Sequence, residues 1–212
     1  MAVASAPSKA EPAPPRAALV PVRPGAIVLA RHGEPALSRK CFLTSDQYRD
    51  WWAKYEIGGL RAGQTPPPEL IATAQGAGAI YASTRPRAQE TAAAIAAGRE
   101  VMSDALFIEA PLPPPRFPAW FKLPPKYWGV VARIWWHAFN HHEGQETRRQ
   151  AECRAEKAAQ ALIARADSGP DVLVLAHGYF NHMVGRCLRA DGWSLVHNQG
   201  FRYWSQRRYE KL

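Results

Sequence analysis

The sequence predicts an α/β protein: a three-layer sandwich around a central, mostly parallel β-sheet. Three stretches carry that prediction. Ala26-Ile27-Val28-Leu29-Ala30 runs straight into Arg31-His32-Gly33, bounded by Pro24-Gly25 before it and Pro35 after it. A short apolar run without polar alternation reads as a strand buried on both faces. Asp171-Val172-Leu173-Val174-Leu175-Ala176 repeats the pattern and also ends in His-Gly, at His177-Gly178. Ala79-Ile80-Tyr81-Ala82 is a further short apolar strand, followed at once by signals for a helix start. If the first two strands are parallel neighbours, both imidazoles emerge at the carboxyl edge, where open α/β sheets bind ligands. Two histidines beside Arg31 make an anion pocket that contains a potential nucleophile.

At 212 residues one domain is expected, large enough to bury a real core. The formal charge of +9 suits anionic partners, and also suits an arginine-rich solvated surface. Cys41, Cys153 and Cys187 are isolated and form no CxxC pair, which argues against a zinc site or a disulfide framework and fits a reducing, cytoplasmic setting. No apolar run approaches the ~20 residues of a membrane span. Residues 1–24 are rich in Ala and Pro and are expected to be a disordered tail; Lys9, Glu11 and Arg16 interrupt any signal-peptide core. Residues 25–212 then form the domain.

Past the first strand, Ser45 or Asp46 is placed to cap a helix whose Tyr48, Trp51, Trp52 and Tyr55 share one face. Arg39 and Lys40 precede it, within reach of a ligand or on a solvated loop. Gly58-Gly59 and Pro66-Pro67-Pro68 bracket a connection to a short helix over 69–75. In Ser83-Thr84-Arg85-Pro86-Arg87, Ser83 or Thr84 suits an N-cap and Pro86 the first turn. Arg87 then lies beside free N–H groups at a helix start, a ready anion site. Ala105-Leu106-Phe107-Ile108 reads as a third strand ending at Glu109. A carboxyl held partly desolvated at a strand end suits proton donation.

Residues of about 110–143 form an insertion rich in proline and aromatics, with an apolar helix over 127–139. It suits a cap packed on the core, a pocket for a bulky or lipid-like ester, or contact with a membrane surface. His137, His141, His142 and Glu143 lack the spacing of a specific metal motif, and no metal is expected. A long helix follows to about Ala166. Glu146, before it, either orients an arginine in the site or supports the helix start. The helix after His177 begins near Tyr179 and offers N–H groups to the same anion, with Asn181 and His182 in its first turn. Phe201 to Arg207 alternates like an edge strand.

Leu29-Ala30-Arg31-His32-Gly33-Glu34 resembles the signature of the histidine phosphatase superfamily, the phosphoglycerate mutase-like fold. Ser83-Thr84-Arg85-Pro86-Arg87-Ala88-Gln89-Glu90-Thr91-Ala92 resembles its second motif, and that register places the catalytic arginine on Arg87. Arg85 stands where relatives carry an apolar residue, as a surface cation or a second phosphate contact. The resemblance implies a metal-independent phosphomonoester hydrolase of the histidine acid phosphatase type, without cofactor, acting on a small or amphipathic phosphate ester. It implies His32 as nucleophile, Glu109 as proton donor, and Arg31, Arg87 and His177 around the phosphoryl oxygens, with Gly33, Gly178, Arg85 and Glu34 in the binding site. In relatives, inserts like 110–143 form a lid.

Three activities compete on these residues: a phosphatase, a mutase sharing the same site, and a non-enzymatic anion- or nucleic-acid-binding protein. No RNA- or DNA-binding motif supports the third, so no nucleic-acid partner is expected. An oligomer is compatible with the sequence.

Overall fold

The computed structural model describes residues 23–212, so residues 1–22 of the expected tail lie outside the described residues. Six strands form one mixed sheet in the order β3-β2-β4-β1-β6-β5. They are β1 (Ile27–Arg31), β2 (Ala79–Ser83), β3 (Met102–Asp104), β4 (Val172–Ala176), β5 (Trp193–Asn198) and β6 (Gln206–Lys211). β1, β2, β3 and β4 pair in parallel, whereas β6 runs antiparallel to both β1 and β5. The parallel expectation therefore holds for four of the six strands, and the sheet as a whole is mixed.

The helices are α1 (Ser45–Ile57), α2 (Pro68–Gly76), α3 (Pro86–Ala96), α4 (Pro125–Phe139), α5 (Arg148–Ala166) and α6 (Gly178–Ala190). Side chains of a strand alternate between faces. Ile27 and Leu29 accordingly pack with Ala155, Leu162, Phe180 and Val184 of α5 and α6, and Val28 and Ala30 pack with Leu70, Ala92 and Ile95 of α2 and α3. This double cover is why β1 and β4 carry no polar alternation.

A third cluster lies away from the sheet. Tyr48, Trp51 and Tyr55 of α1 pack with Trp128 of α4, and Phe117 and Phe121 of the insertion close over them. Leu43 and Leu123 exchange two backbone hydrogen bonds of 2.9 and 3.0 Å, and a helix starts just after each. Tyr48 and Trp128, five residues past those bridge points, stack with centroids 5.9 Å apart. The insertion thus pairs with α1 through a local, near two-fold arrangement of strand and helix.

Four expectations are corrected. The third strand is Met102–Asp104, and residues Ala105–Phe107 form a 3-10 turn, because the Asp104 side chain accepts from Leu106 N at 2.8 Å and buries Phe107 inward. The 201–207 segment is no edge strand: residues 201–205 turn, and β6 begins at Gln206 inside the sheet, with β5 outside it. Thr44, rather than Ser45 or Asp46, caps α1 through a reciprocal capping box with Gln47. Arg85 occupies the N-cap of α3 without a side-chain cap, since Pro86 itself sets the first turn.

Candidate active site

The register pairs Arg31 with Ala176, so the next residues, His32 and His177, leave the sheet at the same level. Their rings lie 5.1 Å apart between centroids, at 62°. Both are buried, at 2% and 1% exposure. His32 Nδ1 lies 2.7 Å from the carbonyl oxygen of Gly33. A carbonyl only accepts, so Nδ1 carries the proton and Nε2 keeps its lone pair. Burial, followed by the charges of Arg87 and Arg31, holds the His32 imidazole well below its ordinary pKa. His177 Nε2 meets Ser83 Oγ at 2.9 Å, and burial, then Arg87 and His32, depress its pKa likewise.

The two imidazoles share a cavity of about 450 Å³ with Arg31, Arg87, Glu109 and Gly178. Arg87 is fully buried; it donates to the carbonyl of Tyr55 at 2.9 Å and to Glu56 Oε1 at 2.8 Å, and its guanidinium lies 4.4 Å over the Tyr55 ring. Arg31 donates to the carbonyl of Phe201 and lies 4.4 Å over the Tyr203 ring. Arg31 Nε, Arg87 Nε and His177 Nδ1 are buried donors or acceptors without a protein partner. Glu109 is the one carboxyl lining this cavity among the described residues. Its oxygens accept from Phe180 N at 2.9 Å and Tyr179 N at 3.2 Å, which fixes it at the N-terminus of α6. Those two N–H groups, expected to face an anion, are occupied by Glu109.

Of the predicted binding residues, Gly178 lines the cavity and the others do not all follow. The Gly33 N–H is taken by Thr91 Oγ1 at 2.9 Å, and a Cβ at Gly33 would sit 2.4 Å from the Trp204 ring. Gly33 is therefore a spacer that lets Trp204 pack on the loop that carries His32. Glu34 turns outward and pairs with Arg61 at 2.7 Å. Arg85 pairs with Glu56 Oε2 at 2.7 Å and lines a neighbouring depression instead. Arg39 and His182 do line the cavity; Lys40 is exposed, and Asn181 is buried and donates to the carbonyl of Ala30 at 2.9 Å, tying α6 to β1.

Sequence reasoning missed Glu56, which holds Arg85 and Arg87 together and carries no local motif. It also missed Tyr203, which stacks on Arg31 and accepts from Arg39 at 3.0 Å. Glu146 orients an arginine outside the cavity: Arg154 binds it twice, at 2.7 Å each, and donates to the carbonyls of Leu106 and Ile108, just ahead of Glu109. Among the described residues no group of three or more His, Cys, Asp or Glu side chains is gathered as for a metal ion. His137 instead meets the Tyr179 hydroxyl at 2.5 Å, and His141 approaches the Pro114 carbonyl.

The carboxyl edge of this sheet thus gathers two histidines and two arginines. The family model of the histidine phosphatase superfamily (branch 1) matches residues 69–203, and the chain belongs to that superfamily. The match includes Arg87, Glu109 and His177; Arg31 and His32 precede it and join them through the β1–β4 register.

Among solved structures, a mycobacterial glucosyl-3-phosphoglycerate phosphatase in complex with VO3 is 18% identical, with 87% of this chain and 92% of that one covered at a TM-score of 0.55. An Entamoeba histolytica phosphoserine phosphatase mutant bound to phosphoserine is 15% identical, with coverage of 78% and 80% and a TM-score of 0.51. The product of an open reading frame of Mycobacterium tuberculosis is 22% identical, with coverage of 76% and 77% and a TM-score of 0.50. These likenesses concern the fold. No curated protein matches the sequence.

Proposed function

We propose that the protein hydrolyses phosphomonoesters through a phosphohistidine on His32. The observation that carries this reading is the His32–Gly33 hydrogen bond, which leaves Nε2 unprotonated in a cavity lined by Arg31, Arg87 and His177. His32 Nε2 attacks phosphorus, and the P–O bond to the alcohol breaks. Glu109, as the carboxylic acid, gives its proton to the departing oxygen. Glu109, now a carboxylate, then takes a proton from water, which attacks the phosphohistidine, releases inorganic phosphate and restores neutral His32. The buried Nε groups of Arg31 and Arg87 and the Nδ1 of His177 gain in the phosphoryl oxygens the partners they lack; the charge of the two arginines stabilises the equatorial oxygens, and neutral His177 contributes a hydrogen bond. The residues already supply the charge that this step needs, so the proposed mechanism routes nothing through a cofactor.

Because both imidazoles are held below their ordinary pKa, Nε2 of His32 stays unprotonated into the acid range, which supports activity of the acid-phosphatase type. Three free cysteines support a reducing compartment, and the cytoplasm is the proposed location. Among the described residues no helix is long and apolar enough to cross a membrane.

The test is phosphate release from p-nitrophenyl phosphate with EDTA present, wild type against His32→Ala, with rapid quench under alkaline conditions to trap phosphohistidine. The expected loss is at least about a thousandfold, as for other covalent nucleophiles. A folded His32→Ala protein with wild-type turnover would overturn the mechanism. Interconversion of phosphate-ester isomers without phosphate release would replace hydrolase by mutase.

A further inference from the structure

A second depression, of about 620 Å³, adjoins the catalytic cavity and runs along the outer face of α4. The two spaces share Arg39, Glu109, Leu112 and Tyr179, so they are continuous past the proposed proton donor. Alpha-4 is apolar on two sides. Its inner stripe, Trp128, Ala132 and Trp136, is fully buried. Its outer stripe, Val130, Ile134 and Ala138, has the same four-residue spacing and lines the groove, and Val130 and Ile134 are each 52% exposed. Packing accounts for the first stripe and, among the described residues, leaves the second without a partner. The floor between them is closed by Arg133, whose guanidinium lies 3.8 Å from the Tyr179 ring centre and 4.6 Å from that of Trp136, with a hydrogen bond of 3.2 Å to the Ala110 carbonyl. Lys126 and Ala138 mark the two ends of the groove, roughly 18 Å apart along the helix at 1.5 Å per residue.

The chemistry of the neighbouring cavity decides what occupies this groove. With phosphorus at His32, the ester oxygen faces Glu109, and two spaces adjoin the cavity there: the α4 groove, and a depression lined by Arg49, Glu56, Arg85 and Glu146 whose charges do not suit an apolar chain. We infer that the substrate is the phosphate monoester of a long-chain, apolar alcohol, with its chain laid over Leu112 and Tyr179 and along Val130, Ile134 and Ala138. This inference rests on the phosphohistidine hydrolase reading. An alcohol as small as a sugar or an amino acid would leave the outer stripe of α4 uncovered.

The test is kcat/KM for n-alkyl phosphates from butyl to dodecyl, each below its critical micelle concentration, with p-nitrophenyl phosphate as the tail-less reference. In the wild type, kcat/KM should rise about two- to fourfold per added methylene until the groove is filled. Ile134→Lys, at an exposed position, should flatten that rise and leave p-nitrophenyl phosphate turnover within about twofold; the near-isosteric Val130→Thr should weaken it by a smaller amount. A flat series in the wild type, with p-nitrophenyl phosphate hydrolysed, would overturn the groove and leave the hydrolase reading standing. No hydrolysis of any ester by folded protein would overturn both. An undiminished rise in Ile134→Lys, together with lost sedimentation on phosphatidylcholine–phosphatidylglycerol vesicles, would make the stripe a membrane contact and overturn the inference.

Discussion

Replacing the single hydrogen on Gly33 by a methyl group would put that carbon 2.4 Å from the Trp204 ring, a distance that something must relieve. Trp204 has little freedom to move. Its indole N–H donates to Gln64 at 2.9 Å, and its backbone already sits in the left-handed region, at φ +63°. Any relief that shifts Gly33 shifts its carbonyl, the group that fixes the His32 tautomer. Gly33→Ala should therefore leave a folded protein whose kcat falls by about ten- to a hundredfold while phosphate affinity changes little; an unchanged kcat would show that the tautomer does not depend on this carbonyl. For Glu109 the leaving group decides. Proton donation by a positioned group is worth ~10²–10⁴ in rate, but only where the departing oxygen needs the proton. Glu109→Gln should slow alkyl phosphates by that factor and p-nitrophenyl phosphate by less than about tenfold in the phosphorylation step, read from burst kinetics. Equal losses would remove Glu109 from the role of acid.

Glu109 follows a 3-10 turn, and irregular backbone needs an external brace. That brace comes from α5. Arg154 grips Glu146 with two hydrogen bonds, holds the Leu106 and Ile108 carbonyls, and lies 4.0 Å over the Phe180 ring, so α5, the Glu109 segment and α6 are joined through one guanidinium. Arg154→Gln cannot make this set of contacts. It should lower kcat on alkyl phosphates by about ten- to a hundredfold, and combining it with Glu109→Gln should cost less than the sum of the two in ΔΔG‡, since both act on the same proton transfer. Full additivity in that cycle would separate Arg154 from the acid. The same elements show what a sequence discloses and what it withholds. Strands β1 and β4 were legible because burial on both faces leaves an unbroken apolar run, and their matching His-Gly ends placed His32 beside His177. Helices α3 and α5 were legible from Pro86 and from the charged-and-alanine pattern. Residues Ala105–Phe107 were read as strand because apolar composition does not separate a short strand from a turn, and the deciding contact is one Asp104 oxygen on Leu106 N. The inward place of β6 depends on its pairing with the distant β1, and β5, among the described residues, pairs with β6 alone. Glu56 was hidden for a similar reason: its partners Arg85 and Arg87 are about thirty residues away and meet it only where the end of α1 reaches the start of α3.

Across the whole molecule, gathering Arg31, Arg87, His32 and His177 at one sheet edge has a consequence for stability. The folded state holds both imidazoles neutral, with burial and the neighbouring arginines depressing each pKa. In the unfolded chain they titrate near 6.5. As pH falls below about 6.5, the unfolded state takes up protons that the folded state refuses, so unfolding becomes more favourable by up to about 1.4 kcal/mol per pH unit for each histidine. Stability should be fully present above that pH and decline through the acid range down to the folded pKa values, with a slope of up to two protons from this pair. His182 and His137 are shifted in the same direction but are more exposed, and should contribute less. The site's own purpose supplies the control. A dianion bound between the arginines offsets the charge that depresses the histidines, so sulfate, whose charge is constant from pH 5 to 8, should stabilise the protein more at pH 5 than at pH 8 and flatten the acid limb. Urea midpoints measured at half-unit pH steps, with sulfate against chloride at matched ionic strength, read this directly. His32→Gln/His177→Gln should lose most of the slope in chloride and most of its sensitivity to sulfate. If the double variant keeps the wild-type slope, the acid sensitivity arises from the general +9 charge of the chain, and the paired histidines are not the molecule's proton-linked weak point.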